Sequence, residues 1–205
     1  MEKTHKFDRP FNQKTMAPKT EEQYQELREI RKEQIMETAL ALFAQKSFDR
    51  TSMSEIAREA GISKGLSYNY FLSKEDLLHE IIMRGFNKII ELFDPNRDGE
   101  LSKEEFIFFI NENFRMVKEH PTYWKLYYSL VMQPSILEKY YAEMEDVIKK
   151  YMKILTSYFT QKGCKDPQTE VAFFSSIMDG VLLNFVLNPE FPADKIKTRI
   201  IALFT

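Results

Sequence analysis

The chain has 205 residues, of which 43% are hydrophobic and 29% are charged, and its formal net charge is −2. This content supports one large or two small domains with a substantial core, and only 6 glycines favour helices over a turn-rich β protein. The near-neutral charge argues against a protein that coats nucleic acid without a specific motif, while the single cysteine, Cys164, excludes an internal disulfide and fits the cytoplasm.

Residues 1–20 are polar and lack periodicity, so we predict a disordered arm there. After this arm, apolar residues recur at helical spacing, and serines or prolines stand where helices would begin. The predicted helices cover residues 22–46, 53–60, 64–71, 74–93, 103–119, 121–132, 134–162, 167–187 and 193–203. Because no convincing strand appears, the sequence predicts an all-α fold.

The two short helices meet at a tight turn at Gly61, as they do in helix-turn-helix DNA-binding proteins. An ordinary corner between two helices has the same spacing, so the spacing alone leaves both interpretations open. Residue types favour DNA, because Lys64 and tyrosine hydroxyls suit phosphates and Asn69 can pair with adenine. Gly65 would permit close approach of the backbone.

The segment from IRKEQIMETALALF to SKEDLL, at about residues 22–82, resembles the TetR family of transcriptional regulators. The AGISKG turn, the Tyr-x-Tyr-Phe ending of the recognition helix and SKEDLL together carry this resemblance. It implies a three-helix DNA-binding domain, which we expect at 21–74, and a larger helical ligand-binding and dimerisation domain at 75–205. It also implies a homodimer on a palindromic operator, usually a repressor released by a small molecule.

The resemblance implies a set of DNA contacts as well. The side chains or backbone expected to face phosphates are those of Ser52, Lys64, Gly65, Tyr68, Tyr70 and Lys74. Ser67 and Asn69 are expected nearer the bases. The family usually has Thr-Leu where this chain has Leu66-Ser67, so a customary phosphate-contacting hydroxyl is missing at position 66.

In the helix over 167–187, residues 171–187 are apolar around most of the circumference, so we expect this part to be buried. Two interpretations remain open for this burial. The helix is either an internal core helix or, as the resemblance implies, part of a homodimer interface through about residues 140–187.

Aromatic residues and methionines are frequent in the second half of the chain, which is typical both of a plain core and of a pocket for a small apolar or aromatic ligand. The candidate pocket residues are Phe109, Trp124, Tyr127, Tyr128, Met132 and Met152. We therefore expect a repressor released by such a ligand.

The segment DPNRDGELSKEE, residues 94–105, has the spacing of an EF-hand calcium loop. The candidate calcium ligands are Asp94, Asn96, Asp98, the carbonyl of Glu100, and Glu105. A plain connection between helices is the alternative, since Ser102 and Glu105 also form a capping box and no second loop exists to pair with this one. A calcium-responsive helical sensor is therefore the alternative function.

No spacing of nucleophile, base and orienting group appears in the sequence, so we expect no enzyme activity and no required cofactor. No stretch of 18 uninterrupted apolar residues appears either, and we expect no association with a membrane.

Overall fold

The computed structural model describes residues 20–205, so the predicted arm lies outside the described residues except for Thr20. Within residues 20–205 there are nine α-helices and no strand, which confirms the all-α prediction. The helices are α1 (Glu21–Lys46), α2 (Met53–Glu59), α3 (Lys64–Ser67), α4 (Lys74–Ile90), α5 (Lys103–Glu119), α6 (Pro121–Val131), α7 (Pro134–Gln161), α8 (Pro167–Leu187) and α9 (Ala193–Phe204).

Side-chain caps explain where the early helices begin. The residues whose side chains accept a hydrogen bond from the backbone three positions later are Thr20, Ser52, Ser63, Ser73 and Ser102. Each cap satisfies one of the four amide groups that a helix start leaves without a partner. Prolines occupy the first turns of α6, α7 and α8, where a missing N–H costs nothing.

Two helices, α3 and α4, are at least three residues shorter than predicted. Helix α3 has four residues, because the following amides of Asn69 and Tyr70 bond carbonyls three positions back and tighten the chain into turns. Helix α4 ends at Ile90, and Phe93 likewise donates to the Ile90 carbonyl over 3.0 Å. The chain therefore turns three residues earlier than the apolar pattern predicts.

One apolar core runs from α1 to α9. Helix α1 packs on α2 at one end and on α4 and α6 along its length, so it connects the helix-turn-helix to the rest of the molecule. Farther along, Phe106 of α5 stacks on Tyr158 of α7 with ring centroids 4.7 Å apart. Because this core is continuous, it does not separate 21–74 from 75–205, and that division stays a prediction.

Helices α4 and α6 approach each other closely at Gly85. A Cβ atom built on Gly85 would lie 2.1 Å from the ring of Tyr127, so only glycine fits there without movement. The hydroxyl of Tyr127 donates to the Ile82 carbonyl over 2.9 Å, one turn earlier on α4. Tyr127 is therefore a packing residue between two helices.

Helix α8 is apolar but largely uncovered within one chain. Its most apolar 18-residue window has a mean hydropathy of 1.6, yet only 28% of that window is buried. This exposure contradicts the interpretation of α8 as an internal core helix. Within residues 20–205, α8 alone is long and apolar enough to cross a membrane by length and composition.

Candidate nucleic-acid interface

The turn between α2 and α3 has the geometry that Gly61 was expected to allow. Gly61 has a φ of 67°, a left-handed conformation that glycine adopts without a steric penalty. The next amide, that of Ile62, donates to the Ala57 carbonyl over 2.9 Å. This bond closes the end of α2, and α3 follows at once, packed against α2.

Helix α3 and the turn after it present polar side chains to solvent. Lys64, Tyr68 and Asn69 are exposed, and Gly65 has no heavy atom within 4 Å of a built Cβ. Since nothing inside the chain crowds Gly65, a molecule that docks from outside can approach the backbone closely there. A lysine, a tyrosine hydroxyl and an amide are the groups that bind phosphates and base edges.

Ser67 points the other way. Its side chain is 0% exposed, and its hydroxyl donates to the Lys64 carbonyl over 2.7 Å. This position contradicts the prediction that Ser67 lies nearer the bases, and it also prevents Ser67 from replacing the hydroxyl missing at 66. The side of α3 that packs on the core contains Ser67, whereas Lys64, Gly65, Tyr68 and Asn69 are exposed.

Arg28 of α1 braces the turn after α3, which the sequence did not predict. Its guanidinium donates to the Asn69 carbonyl over 3.1 Å and lies 5.3 Å from the ring centroid of Tyr70. The backbone of Asn69 is thereby held from α1, while the Asn69 side chain remains exposed. The two residues are 41 positions apart, so no local pattern in the sequence could indicate this contact.

Three further predicted contact residues already have partners inside the chain. Ser52 caps α2 by accepting from the Glu55 amide over 3.2 Å, although the residue is exposed. Lys74 donates to the Phe48 carbonyl over 2.9 Å and covers the Phe48 ring, which leaves other N–H groups for a phosphate. Tyr70 is half-buried beneath Arg28.

A cavity of about 470 Å³ lies where α1 meets α4, α5 and α6. Its wall contains the aromatic pair Tyr123 and Trp124, but charged side chains dominate the rest. The lining residues are Glu33, Glu37, Lys88, Leu92, Glu112, Arg115, Met116, Glu119, His120, Tyr123 and Trp124.

Ion pairs connect several of the charged side chains that line this cavity. Arg115 binds Glu112 at 2.5 Å and Glu119 at 2.6 Å, and its hydrogen bond to Glu112 lowers the pKa of that carboxyl. Burial, followed by the charge of Glu33, raises the pKa of Tyr123 to about 12. The Tyr123 hydroxyl therefore stays neutral at physiological pH and can donate or accept a hydrogen bond.

The six predicted pocket residues do not come together in this cavity. Trp124 alone lines it, while Tyr127 packs on Gly85 and Met132 is 56% exposed at the end of α6. Phe109 packs on Phe93 instead, with ring centroids 4.9 Å apart. The remaining two, Tyr128 and Met152, are half-buried side chains that pack against the core. Aromatic spacing indicated burial correctly, but it could not distinguish core from cavity.

The loop over 94–102 folds around its own acidic side chains. The amides of Gly99 and Glu100 donate to the carboxylates of Asp94 and Asp98 over 3.2 and 2.8 Å, respectively. Glu105 instead accepts from the Ser102 amide over 2.9 Å, as part of the predicted capping box. Within residues 20–205, no three His, Cys, Asp or Glu side chains form a group that could hold a metal ion.

Comparison with known proteins supports this assignment of the helix-turn-helix. Residues 35–81 match the family described as bacterial regulatory proteins, tetR family. The chain is 29% identical over 184 residues to the helix-turn-helix-type transcriptional regulator YuxN of Bacillus subtilis (strain 168), which covers 81% of this chain and 60% of that protein.

A second relative is the negative transcriptional regulator IcaR of the biofilm operon icaADBC in Staphylococcus epidermidis. It is 28% identical over 106 residues, covering 52% of this chain and 56% of that protein, so the chain spans less than two thirds of both relatives. A solved transcriptional regulator of the TetR/AcrR family from Aquifex aeolicus is 27% identical and has a TM-score of 0.62, with 84% of this chain and 96% of that one covered. Over residues 35–81, which contain the helix-turn-helix, the chain is therefore similar to the tetR family of bacterial regulatory proteins.

Proposed function

We propose that this protein is a homodimeric, sequence-specific DNA-binding transcriptional regulator of the cytoplasm. The observation that carries the proposal is the outer face of α3, where Lys64, Tyr68 and Asn69 are exposed side by side on a braced turn. Lys64 and Tyr68 bind phosphates, and the Asn69 side chain reads a base edge in the major groove. Gly65 allows the backbone to approach the DNA.

Ser52, Tyr70 and Lys74 belong to the same proposed interface, in a supporting role. Each of them holds an element that presents the outer face of α3, since Ser52 caps α2 and Lys74 ties α4 to the loop before α2. Residues 21–74 form the DNA-binding domain of this proposal, and residues 75–205 form the dimerisation and ligand-binding domain.

The proposed dimer forms through α7 and α8, within about residues 140–187. Phe173 and Leu187 of α8 are 50% and 55% exposed, and Tyr141 of α7 is 51% exposed. Large apolar side chains exposed along two neighbouring helices favour an interaction surface there. A twofold symmetric pair of α8 helices would bury them, and it would place two α3 helices on two half-sites of a palindrome.

The proposed effector site is the cavity between α1 and α4–α6. A molecule bound there would touch α1 of the DNA-binding domain and α5 and α6 of the other domain together. The charged wall revises the expected ligand, because a wholly apolar molecule would leave the carboxylates of Glu37 and Glu119 desolvated. Tyr123 and Trp124 suit an aromatic group, so we propose a ligand that carries both an aromatic ring and polar groups. The similarity to IcaR, a negative transcriptional regulator, favours repression of transcription as the effect of DNA binding.

Selection of bound DNA from a random pool tests the proposed function. The expected result is a palindromic sequence with two equal half-sites, bound by the wild-type protein as a dimer. Asn69→Ala should then lose preference at one position of each half-site by roughly 1–3 kcal/mol, with other positions unchanged. Recovery of no enriched sequence, or of one without twofold symmetry, would contradict sequence-specific binding by a dimer.

A further inference from the structure

Asp94 has a buried carboxylate oxygen that lacks a partner. The residue is only 6% exposed, and its Oδ1 has no hydrogen-bond partner among residues 20–205. Its Oδ2 accepts from the Gly99 amide over 3.2 Å, which directs the carboxylate into the loop. A buried carboxylate is strongly unfavourable unless donors or a cation compensate its charge. The capping box formed by Ser102 and Glu105 does not explain this buried oxygen.

Neighbouring residues of the loop carry further oxygen groups at the spacing of a calcium site, although in the structure their side chains are not gathered around one point. We propose that the loop over 94–105 binds one calcium ion through Asp94, Asn96, Asp98, the carbonyl of Glu100, and Glu105. Calcium takes six to eight oxygen ligands from carboxylates, amide oxygens, backbone carbonyls and water, and Glu105 would supply two of them. Gly99, with a φ of 81°, makes the sharp bend that brings the two halves of the loop together.

Glu105 is the ligand that must move. In the structure its carboxylate accepts from the amide and the hydroxyl of Ser102, at 2.9 and 2.7 Å. The reciprocal bond, from the Glu105 amide to the Ser102 hydroxyl at 3.1 Å, can persist when the carboxylate rotates toward an ion. Helix α5 therefore keeps its N-cap while Glu105 changes partner.

The affinity should be low because Glu105 exchanges a satisfied position for the ion and because the loop is alone among residues 20–205. Sensor sites of this type bind calcium at about 10⁻⁷ to 10⁻⁵ M and extracellular sites at about 10⁻⁴ to 10⁻³ M. We expect this loop toward the weak end, at about 10⁻⁵ to 10⁻³ M. Magnesium should bind more weakly, since it requires a smaller octahedral cage and gives up its water reluctantly.

Calorimetric titration of the full-length protein with calcium chloride, after removal of metal by a chelator, tests the site. Wild type should show saturable binding of one ion per chain. Glu105→Gln should weaken binding at least about tenfold, because it removes a bidentate carboxylate yet still serves in a capping box. The matched control is Glu104→Gln, which changes the charge equally at an exposed neighbouring position and should retain wild-type affinity within twofold.

Thermal melting of Asp94→Asn gives a second, independent readout. Without calcium this variant should melt at or above the wild-type temperature, because asparagine removes the buried charge and can still accept from Gly99. With 5–10 mM calcium the order should reverse, since only wild type gains stability from the ion. An absence of saturable heat and of any melting shift in wild type would overturn the proposal, as would equal losses in Glu104→Gln and Glu105→Gln.

Discussion

Lys64 is the exposed cation of α3, and reversing its charge tests the proposed interface at a single residue. We expect Lys64→Glu to weaken operator binding by at least about 100-fold, because like charges set against each other cost several kcal/mol. The loss should apply to specific and non-specific DNA alike, as phosphate contacts carry no sequence information. Fluorescence anisotropy over a range of salt concentrations measures it.

The control for this change is Lys125→Glu, at an exposed lysine on α6 that is remote in sequence from the helix-turn-helix. It alters the net charge equally and should leave operator affinity unchanged. Both variants should retain the circular dichroism spectrum of wild type. If Lys64→Glu binds as well as wild type, α3 does not face DNA in the way we propose.

Arg28 provides a second prediction at the scale of a residue, because in the proposed interface it would affect DNA binding through the turn that it contacts. Arg28→Ala should weaken operator binding about twofold to fivefold, the effect expected of an exposed charged contact. Arg28→Lys distinguishes support of the turn after α3 from direct attraction between the Arg28 charge and DNA. Lysine keeps the charge but lacks the planar group that lies on Tyr70. Equal losses in the two variants, measured by anisotropy, would support bracing, whereas full binding by Arg28→Lys would identify a phosphate contact.

Prediction from sequence succeeded at positions whose role depends on near neighbours. The N-cap serines and the Gly61 turn followed from patterns only a few residues long, and the structure contains them. Ser67 was placed wrongly because the four-residue length of α3 and its rotation on α2 are set by packing. Arg28 and the residues of the cavity depend on contacts between distant segments, which periodicity in one sequence does not encode.

At the scale of helices, the contact between Gly85 and Tyr127 fixes α4 against α6. Gly85→Ala should destabilise the protein by about 1–3 kcal/mol, because the added Cβ would overlap the Tyr127 ring in a packed core. Differential scanning calorimetry should show a corresponding fall of several degrees in the melting temperature.

A double-mutant cycle tests whether the Tyr127 ring causes the loss of stability in Gly85→Ala. Tyr127→Ala alone should be costly, since it removes a buried ring and its hydrogen bond to Ile82. In the Gly85→Ala background the same change should cost less, because the overlap is relieved at the same time. Strictly additive losses would show that the added methyl group is accommodated elsewhere.

Element boundaries were predicted well where a proline or a serine marks them. Helices α5 and α8 cover the predicted residues, and both begin at a capped or proline-started turn. Helix α4 ends three residues before its predicted end. Phe93 is buried, but it lies in the turn after the helix, so its apolar side chain extended the predicted helix too far. An apolar pattern indicates which residues are buried, but it does not show where a helix ends.

At the scale of the whole molecule, the exposed apolar surface of α8 predicts that two chains associate as a dimer. Gly180→Leu should shift the protein toward monomer in sedimentation velocity, because overpacking an interface costs about 1–3 kcal/mol. Within one chain, no heavy atom lies within 4 Å of a Cβ built on Gly180, so the monomer itself should fold normally. Gly180→Ala is the graded control and should have a smaller effect, and a fully dimeric Gly180→Leu protein would place the interface away from Gly180.

Helix α1 is one continuous helix that contacts the turn after α3 and also lines the cavity. Nine residues separate Arg28 from Glu37, a distance of about 14 Å along the helix axis. If a molecule in the cavity tilts this helix by about 5° around Glu37, Arg28 moves by about 1.2 Å at that spacing. Such a displacement is large against a hydrogen bond of 3.1 Å to Asn69. In the proposed function, the angle of α1 would therefore determine how far a molecule bound in the cavity displaces Asn69, the residue that we propose contacts a base.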